Sequence, residues 1–339
     1  MISALFFVLA GAWQPAETEV TFKGAGGLEL RGTLSVPEGV SGQVPGVLLL
    51  PGSGPTDRDG NQPPVLITDL LKQTASRLTK EGYVCFRFDK RATPGYSSSW
   101  PKEVEAQNDF FSWDSFVGDA KAALAFLRSQ KQVDPSRTVI FGHSEGGMIA
   151  VQIGKDLAGT SEAPAGLILA STAGRTSGHV IREQVASNLR RSGMAEPVAK
   201  TYNDYVDTAI KQLIKDGTVP PDPPPGLAGL FPPSAAKLLR SYFTTDPAKL
   251  AAAYDGPVLI VQGEKDIQVS PDRDTPLMTA SLKARPKGTV ETFIVPSASH
   301  NLKHVDDKET EAGLVGDVVP AALDKIAEWM KATFPKKTG

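Results

Sequence analysis

A serine flanked by glycines marks a transition from strand to helix in this sequence. The segment Gly142–Gly146 (Gly-His-Ser-Glu-Gly) matches the pattern G-x-S-x-G. The apolar run before it is typical of a buried strand, and the run after it is typical of a helix. The glycines allow the two elements to approach closely, and a helix N-terminus favours negative charge at the serine. We therefore interpret Ser144 as a nucleophile; the alternative is a glycine-rich turn without chemistry.

A serine hydroxyl becomes a good nucleophile only when a base takes its proton. The sequence has four histidines. His300 lies just after the last predicted strand, where a loop can return it to a serine at a strand end. We expect the His143 side chain to point away from the turn that it shares with the serine, and His179 lies in a predicted helical segment. His304 is the alternative base, but its polar surroundings are typical of a surface residue. The prediction is His300.

A carboxylate must orient the imidazole and stabilise the imidazolium that forms. The apolar run 258–262 predicts a strand, and Asp266 follows in the turn at its end. Glu264 comes too early for that turn. Asp272 and Asp274 lie towards the next helix, where loop carboxylates and helix caps are common. Asp266 is therefore the predicted acid.

Acyl transfer also requires hydrogen-bond donors for an oxyanion. One predicted donor is the backbone N–H of Glu145, the residue after the nucleophile. The other is expected in the glycine-rich loop 50–55, which follows the first buried strand. Ser53 N–H is the prediction there and Gly54 the alternative, and a plain tight turn would carry no such role.

These residues are spaced along an alternating pattern of strands and helices. Two period-two runs flanking Gly26 and Gly27 predict an antiparallel hairpin. Continuously apolar runs then alternate with helical patterns. Among them we predict strands over 84–88 and 166–170 and helices over 64–81, 114–130 and 146–158. Such repeats predict an α/β fold with a mostly parallel sheet and helices on both faces. We assign residues 19–174 to the first part of this core and 251–335 to the second.

The intervening residues 175–250 lack any strand pattern and contain helical segments and a proline-rich stretch. We interpret them as a helical cap insertion over the carboxyl ends of the strands. Six of its apolar residues could line an acyl pocket, although they are more typical of the cap's own core. They are Leu213, Ile214, Leu227, Leu230, Phe231 and Phe243.

The amino-acid composition argues against several classes of binding partner and cofactor. The formal net charge is −2 and the isoelectric point is near 6.1, which argues against nucleic acid or anionic membrane as a partner. The single cysteine, Cys85, excludes an intrachain disulfide framework. With one cysteine and four histidines, a dedicated metal site is not expected.

The N-terminal residues 1–12 form a short apolar run followed by Ala10-Gly11-Ala12. The run is too short to span a bilayer, but the small residues suit signal peptidase. Since no Lys or Arg precedes the run, a segment packed on the domain is the alternative. We expect a cleaved signal peptide and export; otherwise the protein is cytoplasmic.

From about residue 19 to 335 the chain resembles an α/β-hydrolase. The segments 52–61 and 142–147 together resemble bacterial esterases close to the dienelactone-hydrolase and prolyl-oligopeptidase-like branches. The resemblance implies hydrolysis of carboxylic esters without metal or organic cofactor. Two departures are Pro51-Gly52, where many relatives have His-Gly, and 89–92 (Asp-Lys-Arg-Ala), where Asp-x-Arg-Gly is usual. We interpret Asp89 and Arg91 as a structural pair.

The predicted function is a serine hydrolase of small carboxylic esters, with short acyl chains favoured because the cap has no long apolar run. A peptidase or aminoacyl hydrolase is the alternative, as is a thioester or lactone hydrolase. A hydrolase fold used only for binding belongs to a different class, because fold alone does not fix function. Labelling of Ser144 by a fluorophosphonate separates the two classes.

Overall fold

A single eight-stranded sheet organises the described part of the chain. The computed structural model describes residues 16–306 and 314–336 of the 339. The strand order is β1-β2-β4-β3-β5-β6-β7-β8. The strands are β1 Ala16–Lys23, β2 Glu29–Val36, β3 Val44–Leu50, β4 Val84–Phe88, β5 Val133–His143, β6 Gly166–Ala170, β7 Val258–Gly263 and β8 Val290–Val295.

The strands β3 to β8 pair in parallel, as the continuously apolar runs predicted. Alternate residues of a strand face opposite sides of a sheet. In β3, Leu48 belongs to one buried cluster and Leu49 to the cluster on the other face. Helices cover both faces and bury these side chains, so the sheet forms the middle layer of the core.

The predicted N-terminal hairpin is confirmed. Strands β1 and β2 pair antiparallel from Ala16 opposite Val36 to Lys23 opposite Glu29. The turn contains Gly26 and Gly27 at φ angles of 68° and 77°. Glycine adopts this left-handed region without the steric cost that a Cβ atom imposes.

Ten α-helices lie within the described residues. They are α1 Leu70–Lys80, α2 Val104–Phe110, α3 Trp113–Arg128, α4 Glu145–Asp156, α5 Ser177–Arg191, α6 Glu196–Asp216, α7 Ala236–Thr244, α8 Pro247–Ala251, α9 Asp274–Lys283 and α10 Pro320–Thr333. The short α2 has no counterpart in the sequence prediction, while α3 and α4 lie within two residues of their predicted starts.

The helix predicted over 64–81 is shorter than expected and begins at Leu70. Asn61 accounts for the late start, because its side-chain oxygen accepts hydrogen bonds from the amides of Thr68 and Asp69, at 2.7 and 2.8 Å. Asp69 has a positive φ of 48°, which a helix cannot contain. An asparagine side chain thus holds the preceding residues in a loop.

Residues 175–250 contain no strand and connect β6 to β7 through α5, α6, α7 and α8. We call this segment the helical insertion. Its helices pack mainly on one another, with α5 against α6 and α6 against α7, and α8 lies against α4 of the core. The buried apolar side chains of the insertion are continuous with the core on one face of the sheet, and the insertion is attached to the sheet at both ends.

Within residues 16–306 and 314–336, no helix combines the length and the apolar character that crossing a bilayer requires. The expected signal peptide falls on residues 1–12, which lie outside the described residues.

Candidate active site

Ser144 occupies a sharp turn between the end of β5 and the start of α4. Its φ is 53° and its ψ is −114°, a conformation that few residues other than glycine adopt. Its amide donates to the carbonyl of Ala170 on the neighbouring strand at 2.8 Å. The side chain is partly exposed, whereas the residues around it are buried. Such strain persists where the surrounding structure enforces it, and it is common at active sites.

The glycines around Ser144 allow this turn because backbone segments pack there without room for a side chain. A Cβ atom on Gly142 would collide with the backbone of Gly146, and one on Gly146 would collide with the backbone of Leu50. A Cβ on Gly147 would collide with the Thr172 side chain. The G-x-S-x-G spacing thus fits the close approach of α4 to β3 and β5.

Asp266 and His300 meet in a buried hydrogen bond. The distance from His300 Nδ1 to Asp266 Oδ2 is 2.8 Å, and the Asp266 side chain is fully shielded from solvent. Asp266 Oδ2 also accepts from Gln262 Nε2 at 2.8 Å, and Oδ1 accepts from the amides of Gln268 and Val269 at 2.8 and 2.9 Å. Four donors fix the carboxylate, which in turn fixes the orientation of the His300 ring.

His143 contacts the same histidine from the nucleophile turn. Its Nε2 lies 2.9 Å from the backbone carbonyl oxygen of His300, and the two ring centroids are 4.8 Å apart. Burial, and next the neighbouring His300, lower the pKa of His143 to about 3. His143 therefore links the turn of Ser144 to the loop of His300, a contact that the sequence analysis did not anticipate.

The loop after β3 lies against Ser144. A Cβ atom on Gly52 would lie 3.5 Å from Ser144 Cβ. The carbonyl of Ser53 accepts hydrogen bonds from Thr56 Oγ1 and Gln62 Nε2, each at 2.9 Å. Within the described residues the Ser53 amide donates to no backbone carbonyl. Glu145 is the first residue of α4, where an amide has no partner inside the helix.

A cavity of about 550 Å³ opens beside Ser144, between the core and the helical insertion. This volume lies within the usual range for small-molecule sites. Ser144, Ser53 and Glu145 all line it. Most of the remaining lining is apolar and includes Phe111, Phe116, Met148, Val180, Ile181, Leu230, Leu238, Leu239 and Val269.

The apolar residues that the insertion contributes to the cavity differ from the six that the sequence suggested for an acyl pocket. Of the six candidates only Leu230 lines it, while Leu213, Leu227, Phe231 and Phe243 are buried in the core. Lys90 and Tyr242 also line the cavity. In the sequence, Lys90 stands out only as part of the segment 89–92, which departs from a family pattern, and no local signal singles out Tyr242.

The interpretation of Asp89 and Arg91 as one pair is wrong. Asp89 forms a bidentate pair with Arg58, at 3.1 and 2.7 Å. Arg91 instead binds Asp119 in the core, at 2.7 and 2.6 Å. Strand β4 ends at Phe88, so Asp89 and Arg91 both lie beyond it, where the alternation that places residues two apart on the same side of a strand no longer applies.

The residues considered as alternative base and acid lie outside the Asp266–His300 pair. His304 is exposed and lies 3.1 Å from Asp306. Glu264 is exposed and accepts from the amide of Ser297 at 2.8 Å. Asp274 begins α9 and accepts from backbone amides. Among residues 16–306 and 314–336, no group of three or more His, Cys, Asp or Glu side chains has a metal-binding arrangement.

The chain is similar to a family of hydrolases and to several esterases. The alpha/beta hydrolase family matches residues 47–312. Esterase EstD of Thermotoga maritima is 27% identical over 316 residues, covering 93% of this chain and 67% of the relative. Among solved structures, the esterase Est2 of Thermogutta terrifontis with propionate bound has a TM-score of 0.57, 15% identity and coverage of 96% and 97%. Est1E of Butyrivibrio proteoclasticus has a TM-score of 0.56, 13% identity and coverage of 93% and 98%.

Proposed function

The chain belongs to the alpha/beta hydrolase family, and we propose that it is a carboxylesterase whose nucleophile is Ser144. The observation that carries the proposal is the buried Asp266–His300 hydrogen bond, linked through His143 to a serine in a strained turn. The similarity to Esterase EstD favours esters over other acyl substrates.

In the proposed reaction, His300 removes the proton of the Ser144 hydroxyl as the oxygen attacks the ester carbonyl. Asp266 keeps the His300 proton on Nδ1, so that Nε2 can act as the base, and stabilises the imidazolium. The amides of Ser53 and Glu145 stabilise the oxyanion. The alcohol leaves with the proton from His300, and water then releases the acid from the acyl-enzyme.

We propose that the helical insertion acts as a cap and that the substrate is a small ester with a short acyl chain. The cavity between the insertion and the core is mostly apolar, which suits uncharged acyl and alkyl groups. Its two charged lining residues, Lys90 and Glu145, bind each other, so they do not offer a free charge to the substrate.

Hydrolysis of p-nitrophenyl esters from acetate to palmitate tests this proposal, with Ser144→Ala measured in parallel. We expect turnover that is highest for a short acyl chain and is lost in Ser144→Ala. Maximal turnover on palmitate would contradict the proposed preference for short acyl chains but not the proposed ester hydrolysis. If a folded wild-type protein hydrolysed no ester of the series, the ester-hydrolase proposal would fail, and peptide substrates would be tested next.

A further inference from the structure

The ammonium group of Lys90 joins three separate parts of the chain. It lies 2.5 Å from Glu145 Oε1 and 3.1 Å from the carbonyl oxygen of Gly52. The other carboxylate oxygen of Glu145 accepts a hydrogen bond from the hydroxyl of Tyr242. Lys90, Glu145 and Tyr242 are all buried, and we call these three residues the Lys90 cluster. They connect the end of β4, the start of α4 and helix α7 of the helical insertion.

Stability alone does not explain a buried cluster of this kind. Removing an ammonium and a carboxylate from water costs about as much as their attraction returns, and apolar replacements are often equally stable. Buried ion pairs can instead fix a particular geometry. The two acceptors of Lys90, the Gly52 carbonyl and the Glu145 carboxylate, show which geometry it fixes.

The first acceptor belongs to the peptide unit that carries the Ser53 amide. The carbonyl of Gly52 and the N–H of Ser53 are parts of one planar group, and this peptide is trans. The two bonds therefore point in opposite directions. By holding the Gly52 oxygen on one side, Lys90 directs the Ser53 N–H to the other. A cation on the carbonyl also polarises the peptide and strengthens its N–H as a donor.

The second acceptor belongs to the residue that carries the other proposed donor. Glu145 offers its backbone N–H at the start of α4, while its side chain is held by Lys90. One ammonium group thus restrains both residues whose amides are proposed to bind the oxyanion. Tyr242 completes the cluster as a donor; burial, and next the nearby Glu145, raise the pKa of Tyr242 well above its ordinary value, so its hydroxyl stays protonated.

We propose that Lys90 is a positioning residue for the oxyanion site, and that Tyr242 couples the helical insertion to that site through Glu145. The inference rests on the proposed ester-hydrolase function. It also selects Ser53 over Gly54 as the donor in this loop, because the Gly52 carbonyl that Lys90 holds shares its peptide unit with the Ser53 amide.

The test compares the wild type with the double variant Lys90→Met/Glu145→Gln. Removing both charges avoids an unpaired buried carboxylate, which would threaten folding. We expect kcat on p-nitrophenyl butyrate to fall by about 10²-fold with little change in KM, since loss of an oxyanion donor has effects of this size. The affinity for a trifluoromethyl ketone, which forms an oxyanion when Ser144 Oγ adds to its carbonyl carbon, should fall by a similar factor.

A second buried ion pair provides a matched control. Arg91 and Asp119 are as buried as the Lys90 cluster, and they contact neither Gly52 nor Glu145. We expect Arg91→Met/Asp119→Asn to lower the melting temperature but to leave kcat and ketone affinity per folded molecule unchanged. Tyr242→Phe, which removes only the hydroxyl, should lower kcat by a smaller factor than the double variant and leave KM unchanged.

Wild-type kcat and ketone affinity in a folded Lys90→Met/Glu145→Gln protein would overturn the role of Lys90. An effect on KM alone in Tyr242→Phe would overturn the coupling to the insertion. Failure of the proposed function is a distinct result: the wild type would bind the ketone but hydrolyse no ester, and the ketone affinities of the variants would still decide the role of Lys90.

Discussion

His143 Nε2 donates a hydrogen bond to the backbone carbonyl oxygen of His300 over 2.9 Å. A carbonyl only accepts hydrogen bonds, so Nε2 carries the proton. The lowered pKa of His143, about 3, keeps the ring neutral from mildly acidic to alkaline pH. The residue before the proposed nucleophile thus holds the backbone of the proposed base, while Asp266 holds its ring.

This relationship predicts that His143 makes stability depend on pH. The folded-state pKa lies below the ordinary histidine value near 6.5, so between the two values the unfolded chain binds a proton that the folded protein does not. The contribution of His143 is therefore complete above pH 6.5 and is lost as pH falls towards 3. Within that window the free energy of unfolding should decrease by about 1.4 kcal/mol per pH unit on account of His143.

Urea unfolding at several pH values between 4 and 7 measures this dependence. His143→Gln retains a donor near the His300 carbonyl but cannot bind the extra proton. We expect its free energy of unfolding to vary less steeply with pH than that of the wild type. The difference in slope should correspond to at most one proton taken up on unfolding. Equal slopes in the two proteins would show that His143 is not neutral in the folded state.

Asp266→Asn is expected to lower kcat by roughly 10⁴-fold, because an amide in that position stabilises the wrong tautomer of the histidine and cannot stabilise the imidazolium. The shape of the site should be retained, so KM should change little. Steady-state kinetics on a p-nitrophenyl ester measures both. Glu264→Gln, an exposed carboxylate in the same turn, is the control and should keep wild-type kcat. A comparable loss in both variants would argue against a specific role for Asp266.

The sequence predicted the sheet well where a strand is a continuous apolar run with clear ends. Strands β4 and β6 begin and end at the predicted residues, because burial on both faces leaves no ambiguity of pattern. The predicted start of α1 was wrong because the true start depends on the side chain of Asn61, nine residues before Leu70. This side chain accepts hydrogen bonds from the amides just before the helix and holds them in a loop. A periodicity argument does not include such a contact.

In the candidate site too, residues placed by the order of elements were predicted, whereas residues brought together by tertiary packing were not. Ser144 follows β5 directly, and Asp266 and His300 lie in the loops after β7 and β8, so the order of elements places all three at the carboxyl ends of parallel strands. The Lys90 cluster could not be predicted, since Lys90, Glu145 and Tyr242 are far apart in the sequence and have no shared pattern. Such contacts arise from the packing of the helical insertion on the core, and only the folded structure reveals them.

A buried ion pair holds the start of the helical insertion to the core. Arg175 donates to Asp274 from Nε at 3.0 Å and from Nη2 at 2.8 Å, and Asp274 is fully buried. The backbone amides of Gly174, Arg175 and Ser270 also donate to this carboxylate, each at 3.1 Å. Hydrogen bonds from Asp274, and next from Glu183, raise the pKa of Arg175.

We therefore expect Asp274→Ala to lower the free energy of unfolding by about 3 to 5 kcal/mol, the range for loss of one partner of a buried pair. The substitution leaves the backbone amides of Gly174, Arg175 and Ser270 without their acceptor, and the Arg175 guanidinium keeps only Glu183 as a partner. Urea unfolding measures the change. Asp272→Ala removes an exposed carboxylate two residues earlier and should stay within about 0.5 kcal/mol of the wild type. Similar losses in the two variants would contradict an anchoring role for Asp274.

Gly142 of the nucleophile turn is expected not to tolerate a side chain. A Cβ atom there would meet the backbone of Gly146 and Gly147, which cannot move aside as a flexible side chain can. We expect Gly142→Ala to lower the free energy of unfolding by about 3 kcal/mol or more and to abolish turnover, because α4 must shift away from β5. Gly229→Ala is the control for stability, since a Cβ there has no atom within 4 Å; turnover is compared with the wild type only, because Gly229 lines the cavity. Wild-type melting temperature and turnover in Gly142→Ala would show that the close approach of helix and strand is not required.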